Sequence, residues 1–198
     1  MRPTVILFLK EPRPGRVKTR LGQGVGPVAA AGWYRRQALA TIRRLGRDPR
    51  WRLVLAVAPD REGMASRVWP RGVARLPQGS GNLGRRMVRA LNAVGSGPAL
   101  VIGSDVPRID RARIAAALTA LRGADAAIGP SSDGGFWLIG RSAGQRWPRA
   151  LLEGCAWSTD RARADTLARL APRRVALTET LDDVDTAADL VAAGLPLP

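Results

Sequence analysis

The chain alternates short apolar runs with longer amphipathic stretches. Seven short runs predict strands over Thr4–Leu9, Arg52–Ala58, Val73–Leu76, Ala99–Gly103, Ala126–Ile128, Phe136–Gly140 and Arg174–Leu177. Five amphipathic stretches predict helices over Val28–Leu45, Leu83–Val94, Arg111–Leu121, Asp160–Leu170 and Thr186–Ala193. The run Leu100–Ile102 is apolar at every position, which indicates a strand covered on both faces. This alternation predicts an α/β/α sandwich around a largely parallel sheet, formed as one domain over residues 1–198.

The segments that follow the predicted strands are unusually rich in Gly, Asp and Pro. They are Lys10–Arg20, Pro77–Gly84, Ser104–Pro107 and Pro130–Gly135. In open α/β sheets, ligands bind at the carboxyl ends of the strands. We therefore expect the functional residues in these segments.

Composition excludes several classes of protein. The chain is 45% hydrophobic and 24% charged, and no apolar run approaches the roughly 18 residues of a membrane span. The start of the chain lacks signal-peptide architecture, so we expect a cytoplasmic protein. Cys155 is the lone cysteine and is expected to be a small buried residue. Because there is no histidine, any metal must be a hard cation held by carboxylates, which points to Mg²⁺ or Mn²⁺.

The net charge of +16 raises the alternative of nucleic-acid binding. The arginines, however, are spread along the chain, and neither a basic tail nor an interleaved aromatic platform accompanies them. Solvated helix faces explain this distribution better than a nucleic-acid interface does. Nucleic acid is therefore the less favoured partner.

The only two lysines lie in one loop after the first predicted strand. A lysine ammonium is a compact point charge, suited to a crowded phosphate group. The candidate nucleotide- and phosphate-binding residues of this loop are Lys10, Gly15, Arg16, Lys18 and Arg20. The loop is neither a Walker A motif nor G-x-G-x-x-G, and a solvated basic loop is the alternative.

Asp105 follows a buried strand and is held by a proline turn, which places a carboxylate well to bind Mg²⁺ on a phosphate. The alternative is a helix cap, but Asp110 is nearer the next helix. Late in the chain, Asp182, Asp183 and Asp185 precede a helix. One of these three acids is expected to be only the N-cap or a dipole partner of that helix, and the group also suits a second metal ligand or a salt-bridge cluster.

Two further segments carry weaker signals. Asp133, Gly134 and Gly135 precede a predicted strand, and either a structural turn or a close approach to a ligand fits them equally. The segment Trp157–Asp160 has the pattern of a helix start, with Ser158 or Thr159 as its cap.

Five motifs in this order resemble a glycosyltransferase-A-like bacterial family, the radical-SAM/selenodomain-associated transferases. The motifs span Phe8–Leu21, Gly103–Pro107, Gly129–Gly140, Trp157–Thr159 and Asp183–Leu190. The same skeleton is similar to phospholactate guanylyltransferases and molybdenum-cofactor nucleotidyltransferases. The resemblance implies a mostly parallel seven-stranded sheet with a nucleotide in its N-terminal half.

The resemblance also implies roles for individual residues. Lys10, Lys18 and Arg20 would hold phosphates, Asp105 would bind the metal, and Asp185 would be a second metal ligand. The Asp133–Gly135 turn would face the acceptor. In the Gly81–Met87 segment, this chain has Asn82 and Arg85 where the family usually has an aspartate and a glutamate. Asn82 can still hydrogen-bond a base or ribose.

These observations predict a Mg²⁺- or Mn²⁺-dependent transferase with Lys18 and Asp105 as its catalytic residues. Its donor is a nucleotide-sugar or a nucleoside triphosphate, so either a glycosyl or a nucleotidyl group is transferred to a small-molecule acceptor. A catalytically inactive protein that binds a nucleotide or a partner is the main alternative. The donor base, the acceptor and the oligomeric state stay open.

Overall fold

Seven strands form one sheet in the computed structural model, which describes residues 1–198. They are β1 (Thr4–Lys10), β2 (Arg52–Ala58), β3 (Ala74–Pro77), β4 (Ala99–Ile102), β5 (Ala126–Pro130), β6 (Phe136–Arg141) and β7 (Val175–Leu177). Their order is β3-β2-β1-β4-β6-β5-β7. Strand β6 runs antiparallel to both neighbours, and every other pair is parallel. The predicted, mostly parallel seven-stranded α/β fold is confirmed.

Seven helices connect these strands. They are α1 (Thr19–Val25), α2 (Pro27–Gly46), α3 (Asp60–Ala65), α4 (Leu83–Ala93), α5 (Arg111–Ala120), α6 (Ala162–Leu170) and α7 (Ala187–Ala192). The five predicted helices are present, with ends within two residues of the expected ones. The sequence pattern missed α1 and α3. Gly22 and Gly24 weaken the helical pattern of α1, and α3 has only 6 residues.

Both faces of the sheet are covered, as the apolar strands predicted. Val5, Leu7 and Leu9 of β1 join a core with side chains from α2, α5 and α7. The alternate residue Ile6 joins a second core with α4 and α6 on the opposite face. This alternation follows from the two-residue period of a strand. Because helices cover both faces of the sheet, the carboxyl ends of the parallel strands form the open edge of the sandwich.

The helix starts correct two expectations. Asp110 caps α5 as expected, and its side chain accepts a hydrogen bond from the Arg113 amide. Helix α7 is capped by Thr186, so the N-cap alternative for Asp182, Asp183 or Asp185 is wrong. Thr186 is better placed because its hydroxyl and the Asp189 carboxylate form a reciprocal capping box.

The expected cap of α6 is also wrong. This helix begins at Ala162 and has no side-chain cap, so neither Ser158 nor Thr159 serves it. The Thr159 hydroxyl instead donates to the Ala156 carbonyl and accepts from the Arg161 amide. These bonds close a turn ahead of the helix.

Two composition-based expectations can be compared with the structure. Cys155 is buried, as expected for a small apolar position. None of the helices combines the length and the apolar character needed to cross a bilayer.

Candidate functional site

A cavity of about 870 Å³ opens at the carboxyl edge of the sheet. Loops from both halves of the chain line it, from Lys10 at the end of β1 to Asp185 before α7. The antiparallel strand β6 begins at this edge, so Phe136 and Trp137 also reach the cavity. The strand-end rule therefore places the candidate residues of distant segments around one space.

Three carboxylates converge in this cavity. One oxygen each from Asp105, Asp183 and Asp185 lies within 4.8 Å of the others. Asp105 comes from the loop after β4, and the other two come from the segment before α7. The structure thus brings together Asp105 and Asp185, the two predicted metal ligands. It adds Asp183, which the sequence analysis left among three adjacent acids.

The Lys18 ammonium lies among these carboxylates. Its Nζ is 2.5 Å from Asp105 Oδ2, 2.7 Å from Asp185 Oδ1 and 3.5 Å from Asp183 Oδ2. Only 7% of the Lys18 side chain is exposed. A cation at this position balances charges that would otherwise repel one another at short range. The loop lysine predicted to hold phosphate is therefore paired with carboxylates in this structure.

The backbone of Lys18 is also unusual. It has φ 46° and ψ 50°, the left-handed conformation, at the N-cap of α1. Non-glycine residues adopt this conformation at some cost, and such residues cluster at functional sites. The strained turn directs the ammonium inward, whereas Arg20, two residues later, stays largely exposed and pairs with Asp185 at 3.2 Å.

Hydrogen bonds hold the late segment beside Asp105. The Val184 amide donates to the Asp105 carbonyl over 3.1 Å. The Asp189 carboxylate accepts from the amides of Asp185 and Thr186. Asp182 points elsewhere, since its carboxylate accepts from the amide and hydroxyl of Ser132. Local backbone geometry therefore selects Asp183 and Asp185 for the cavity and excludes Asp182.

The mixture of charges shifts the pKa of each group. Burial lowers the pKa of Lys18, but the three carboxylates outweigh burial and raise it. Burial, followed by repulsion from Asp105, raises the pKa of Asp183 to about 6. Burial would also raise the pKa of Asp185, but the nearby Lys18 and Arg20 hold that pKa below the usual range. The cluster therefore favours a bound cation.

Tyr34 was missed by the sequence analysis. From α2, its hydroxyl accepts a hydrogen bond from the Lys10 amide at 2.9 Å and lies 3.0 Å from Ser104 Oγ. Burial raises the pKa of Tyr34 to about 12, so the neutral phenol persists at neutral pH. This hydroxyl ties the end of β1 to the loop that carries Asp105. A tyrosine in an amphipathic helix gives no sequence signal for such a role.

The donor set of the cluster suits a hard divalent cation. Mg²⁺ and Mn²⁺ prefer oxygen ligands, and three carboxylates offer oxygens within 4.8 Å of one another. The position held by Lys18 shows that this geometry already surrounds a positive charge. The residues present therefore fit a metal of this class.

The other predicted phosphate-binding residues divide into two groups. Lys10, Arg20 and Asn82 line the main cavity. Arg16 lines a neighbouring cavity and lies 3.8 Å from Glu62, while Gly15 lines neither. Asn82 also caps α4, because its Oδ1 accepts from the Arg85 amide at 2.9 Å. That bond leaves the NH₂ group of Asn82 as the donor available to a ligand.

Part of the predicted acceptor side also borders the cavity. Asp133 and Gly135 line it, beside the edge-on ring pair of Phe136 and Trp157. Gly134 does not line the cavity. It has φ 84°, and a Cβ there would lie 2.0 Å from the Asp160 carbonyl oxygen. The turn between β5 and β6 is therefore a structural hairpin that also borders the cavity.

Comparisons with known proteins agree with this architecture. The family model described as "Uncharacterized protein conserved in bacteria (DUF2064)" matches residues 41–159. A protein from Desulfovibrio desulfuricans G20, provisionally assigned as a nucleotide-diphospho-sugar transferase, is 29% identical to this chain. Its alignment covers 96% of this chain and 87% of that one, with a TM-score of 0.85. No curated protein matches the sequence significantly.

More distant solved structures share the fold. The 4-diphosphocytidyl-2C-methyl-D-erythritol synthase of Anaerococcus prevotii is 11% identical, with 97% of this chain and 96% of that one covered and a TM-score of 0.57. The manganese complex of Rv0371c from Mycobacterium tuberculosis H37Rv is 13% identical, with 97% of each chain covered and a TM-score of 0.54. The fold is that of nucleotide-diphospho-sugar transferases.

Proposed function

Since the chain belongs to the DUF2064 family and has the fold of nucleotide-diphospho-sugar transferases, we propose that it is a metal-dependent transferase with a nucleotide donor. The donor is a nucleoside triphosphate or a nucleotide-sugar, and a nucleotidyl or glycosyl group passes to a small molecule. Both reactions need cations and a metal around a chain of phosphates. The observation that carries the proposal is the cluster of Asp105, Asp183 and Asp185 around Lys18 inside the cavity.

The cluster supplies the metal site in this proposal. Asp105, Asp183 and Asp185 would hold Mg²⁺ or Mn²⁺, and such a metal would neutralise charge on the leaving phosphate. Similarity to a protein whose structure contains manganese supports this assignment. The three carboxylates come from two separate loops, and the Val184–Asp105 bond keeps those loops together.

The basic residues of the cavity would bind the donor phosphates. Lys10 and Arg20 line the cavity and add positive charge to its wall. Lys18 is the residue closest to the carboxylates, so an entering phosphate competes with them for its ammonium. Once it contacts a phosphate, Lys18 stabilises the charge that develops there as the bond to the leaving group breaks. This is the catalytic role proposed for Lys18.

The acceptor would occupy the side bordered by Asp133, Gly135 and Trp157. A volume of about 870 Å³ is in the range of ligand-binding pockets. The carboxylate cluster lines the same cavity as this side and Lys10, so the two substrates would meet near it. A positioned acceptor and a neutralised phosphate are the main requirements of such a transfer.

The proposal is tested by thermal denaturation with nucleoside triphosphates and nucleotide-sugars, each with and without Mn²⁺. We expect a metal-dependent rise in Tm with one base, and loss of that rise in Asp105→Asn. A rise in Tm with nucleoside triphosphates alone would indicate nucleotidyl transfer. A rise with nucleotide-sugars alone would indicate glycosyl transfer. Asp182→Asn is the matched control, because Asp182 contacts Ser132 rather than the cluster. Failure of every nucleotide to stabilise the protein would contradict the proposal.

A further inference from the structure

The cations of the main cavity and of its neighbour differ in their partners. Lys18 contacts the carboxylate cluster, and Arg20 contacts Asp185. In the neighbouring cavity, Arg13 and Arg16 both contact Glu62. The remaining two cations, Lys10 and Arg86, have no carboxylate oxygen within 4.0 Å. Neither charge is paired with a carboxylate, and Asp60 of the neighbouring cavity acts on Arg86 only from a greater distance, so both charges are available to an anionic ligand.

Lys10 and Arg86 also share a position in the fold. Both line the main cavity and the neighbouring cavity of about 570 Å³, so they stand where the two spaces meet. Lys10 ends β1, and Arg86 lies in the first turns of α4. An elongated anion that extends from the carboxylate cluster toward the second cavity would pass between them.

A buried glutamine fixes the position of Arg86. Only 3% of Gln78 is exposed, and its Nε2 donates to the carbonyls of Leu9 at 3.1 Å and Ala56 at 2.9 Å. These two acceptors, on adjacent strands, determine which end of the amide carries the oxygen. That oxygen, Oε1, accepts from Arg86 Nη1 at 3.1 Å. Gln78 thus anchors the guanidinium to the ends of β1 and β2.

The anchored guanidinium still has unused donors. Arg86 Nε is shielded from solvent, so a ligand reaches the guanidinium at its two terminal nitrogens, of which Nη2 has no hydrogen-bond partner. The contact with Gln78 occupies only one N–H of Nη1. Burial lowers the pKa of Arg86, yet an arginine stays charged at any physiological pH. A partly buried, charged fork with free donors matches a phosphate, which can accept two parallel hydrogen bonds.

We propose that Arg86, positioned by Gln78, binds together with Lys10 a terminal phosphate of a polyphosphate donor. This inference rests on the proposed function and narrows it to a donor whose phosphate chain extends beyond the carboxylate cluster, such as a nucleoside triphosphate. Arg86 is a binding residue in this account, and Gln78 is a positioning residue that acts through Arg86.

The test measures binding of inorganic tripolyphosphate by isothermal titration calorimetry, without nucleotide or divalent metal. We expect Arg86→Ala to weaken binding about tenfold or more, because a charge-assisted bidentate contact is lost. Arg86→Lys should retain part of the affinity, since it keeps the charge but not the fork. The matched control is Arg85→Ala, which removes the same charge from the adjacent position. The Arg85 side chain pairs with Glu153 and lines neither cavity.

Gln78→Glu tests the positioning role. The new carboxylate cannot donate to Leu9 and Ala56, and it would neutralise Arg86, so tripolyphosphate affinity should fall although Arg86 is present. If this variant unfolds, a second measurement is made in Arg86→Ala instead. It compares the affinity for a nucleoside triphosphate with the affinity for the matching nucleoside monophosphate, as a ratio. We expect that ratio to fall about tenfold, which a purely structural role for Arg86 would not produce.

Equal losses in Arg86→Ala and Arg85→Ala, or no tripolyphosphate binding to the wild type, would overturn this inference. The metal-free probe separates it from the proposed function. If the proposed function alone is wrong, Mn²⁺-dependent nucleotide binding is absent, but Arg86→Ala still weakens tripolyphosphate binding selectively.

Discussion

The Val184 amide donates to the Asp105 carbonyl over 3.1 Å and thereby fastens the segment before α7 to the loop after β4. This one backbone bond sets Asp183 and Asp185 beside Asp105. The side chain of Val184 is buried, so the two acidic neighbours of Val184 turn toward the cavity.

Asp183→Asn should weaken Mn²⁺ binding at least about tenfold, because the cluster loses one of its three charged ligands. The adjacent Asp182→Asn should leave the affinity nearly unchanged, since Asp182 contacts Ser132. The measurement is a Mn²⁺ titration in which electron paramagnetic resonance reports the free ion. Equal losses in the two variants would show that general negative charge, rather than the cluster, attracts the metal.

Lys18→Met should destabilise the metal-free protein by about 2 kcal/mol, because three carboxylates lose the cation between them. Added Mn²⁺ should then raise Tm more in this variant than in the wild type. Lys10→Met is the matched control, since Lys10 has no carboxylate within 4.0 Å. A similar Tm for both variants without metal would contradict the role of Lys18 as the counter-ion of the cluster.

Gly134→Ala should cost about 3 kcal/mol or more of the free energy of unfolding. A methyl group there combines the left-handed backbone with a 2.0 Å contact to the Asp160 carbonyl oxygen. Gly144→Ala has a similar φ of 74° but open space around the new Cβ, so about 1 kcal/mol is expected. Urea denaturation of both variants measures the difference. Equal costs would mean that the hairpin moves freely away from Asp160.

Asp48 should make stability depend on pH in the acid range. Hydrogen bonds from Arg50 lower the pKa of Asp48 from 3.8 to about 2. Because the folded pKa is the lower one, this contribution is complete above about pH 4 and is lost as pH falls toward 2.

The stability difference between wild type and Asp48→Asn, from urea denaturation at pH 5, 4, 3 and 2, should therefore shrink with falling pH. A difference that stays constant would show that ionisation of Asp48 does not contribute.

The sequence predicted the fold better than the contacts of the site. Strand ends identified Lys18 and Asp105, because parallel strands bring their carboxyl ends to one edge, whereas Asp185 was expected only from the family resemblance. Sequence reasoning could not pair Lys18 with carboxylates that lie more than 80 positions away in the chain. From the residues alone it also could not choose among Asp182, Asp183 and Asp185, since the choice depends on which alternate residues the backbone turns inward.

Buried polar residues were also not predicted from the sequence. Gln78 and Tyr34 are almost fully buried, yet nothing in their local sequence distinguishes them from surface positions. Each is tolerated inside because its hydrogen-bond partners come from other strands and loops. Such partners are defined only by the tertiary structure. Arg86 was missed for the same reason, because its role depends on Gln78.

The cluster has a consequence for synthesis on the ribosome. Lys18 emerges early in translation, Asp105 near the midpoint, and Asp183 and Asp185 close to the end. A nascent chain can form the central strands well before it can form the cation site, because contacts distant in sequence close last. A fragment that stops short of Asp183 would keep most of the sheet but have no cluster. Any activity that depends on the cluster therefore arises only once nearly the whole polypeptide has been made.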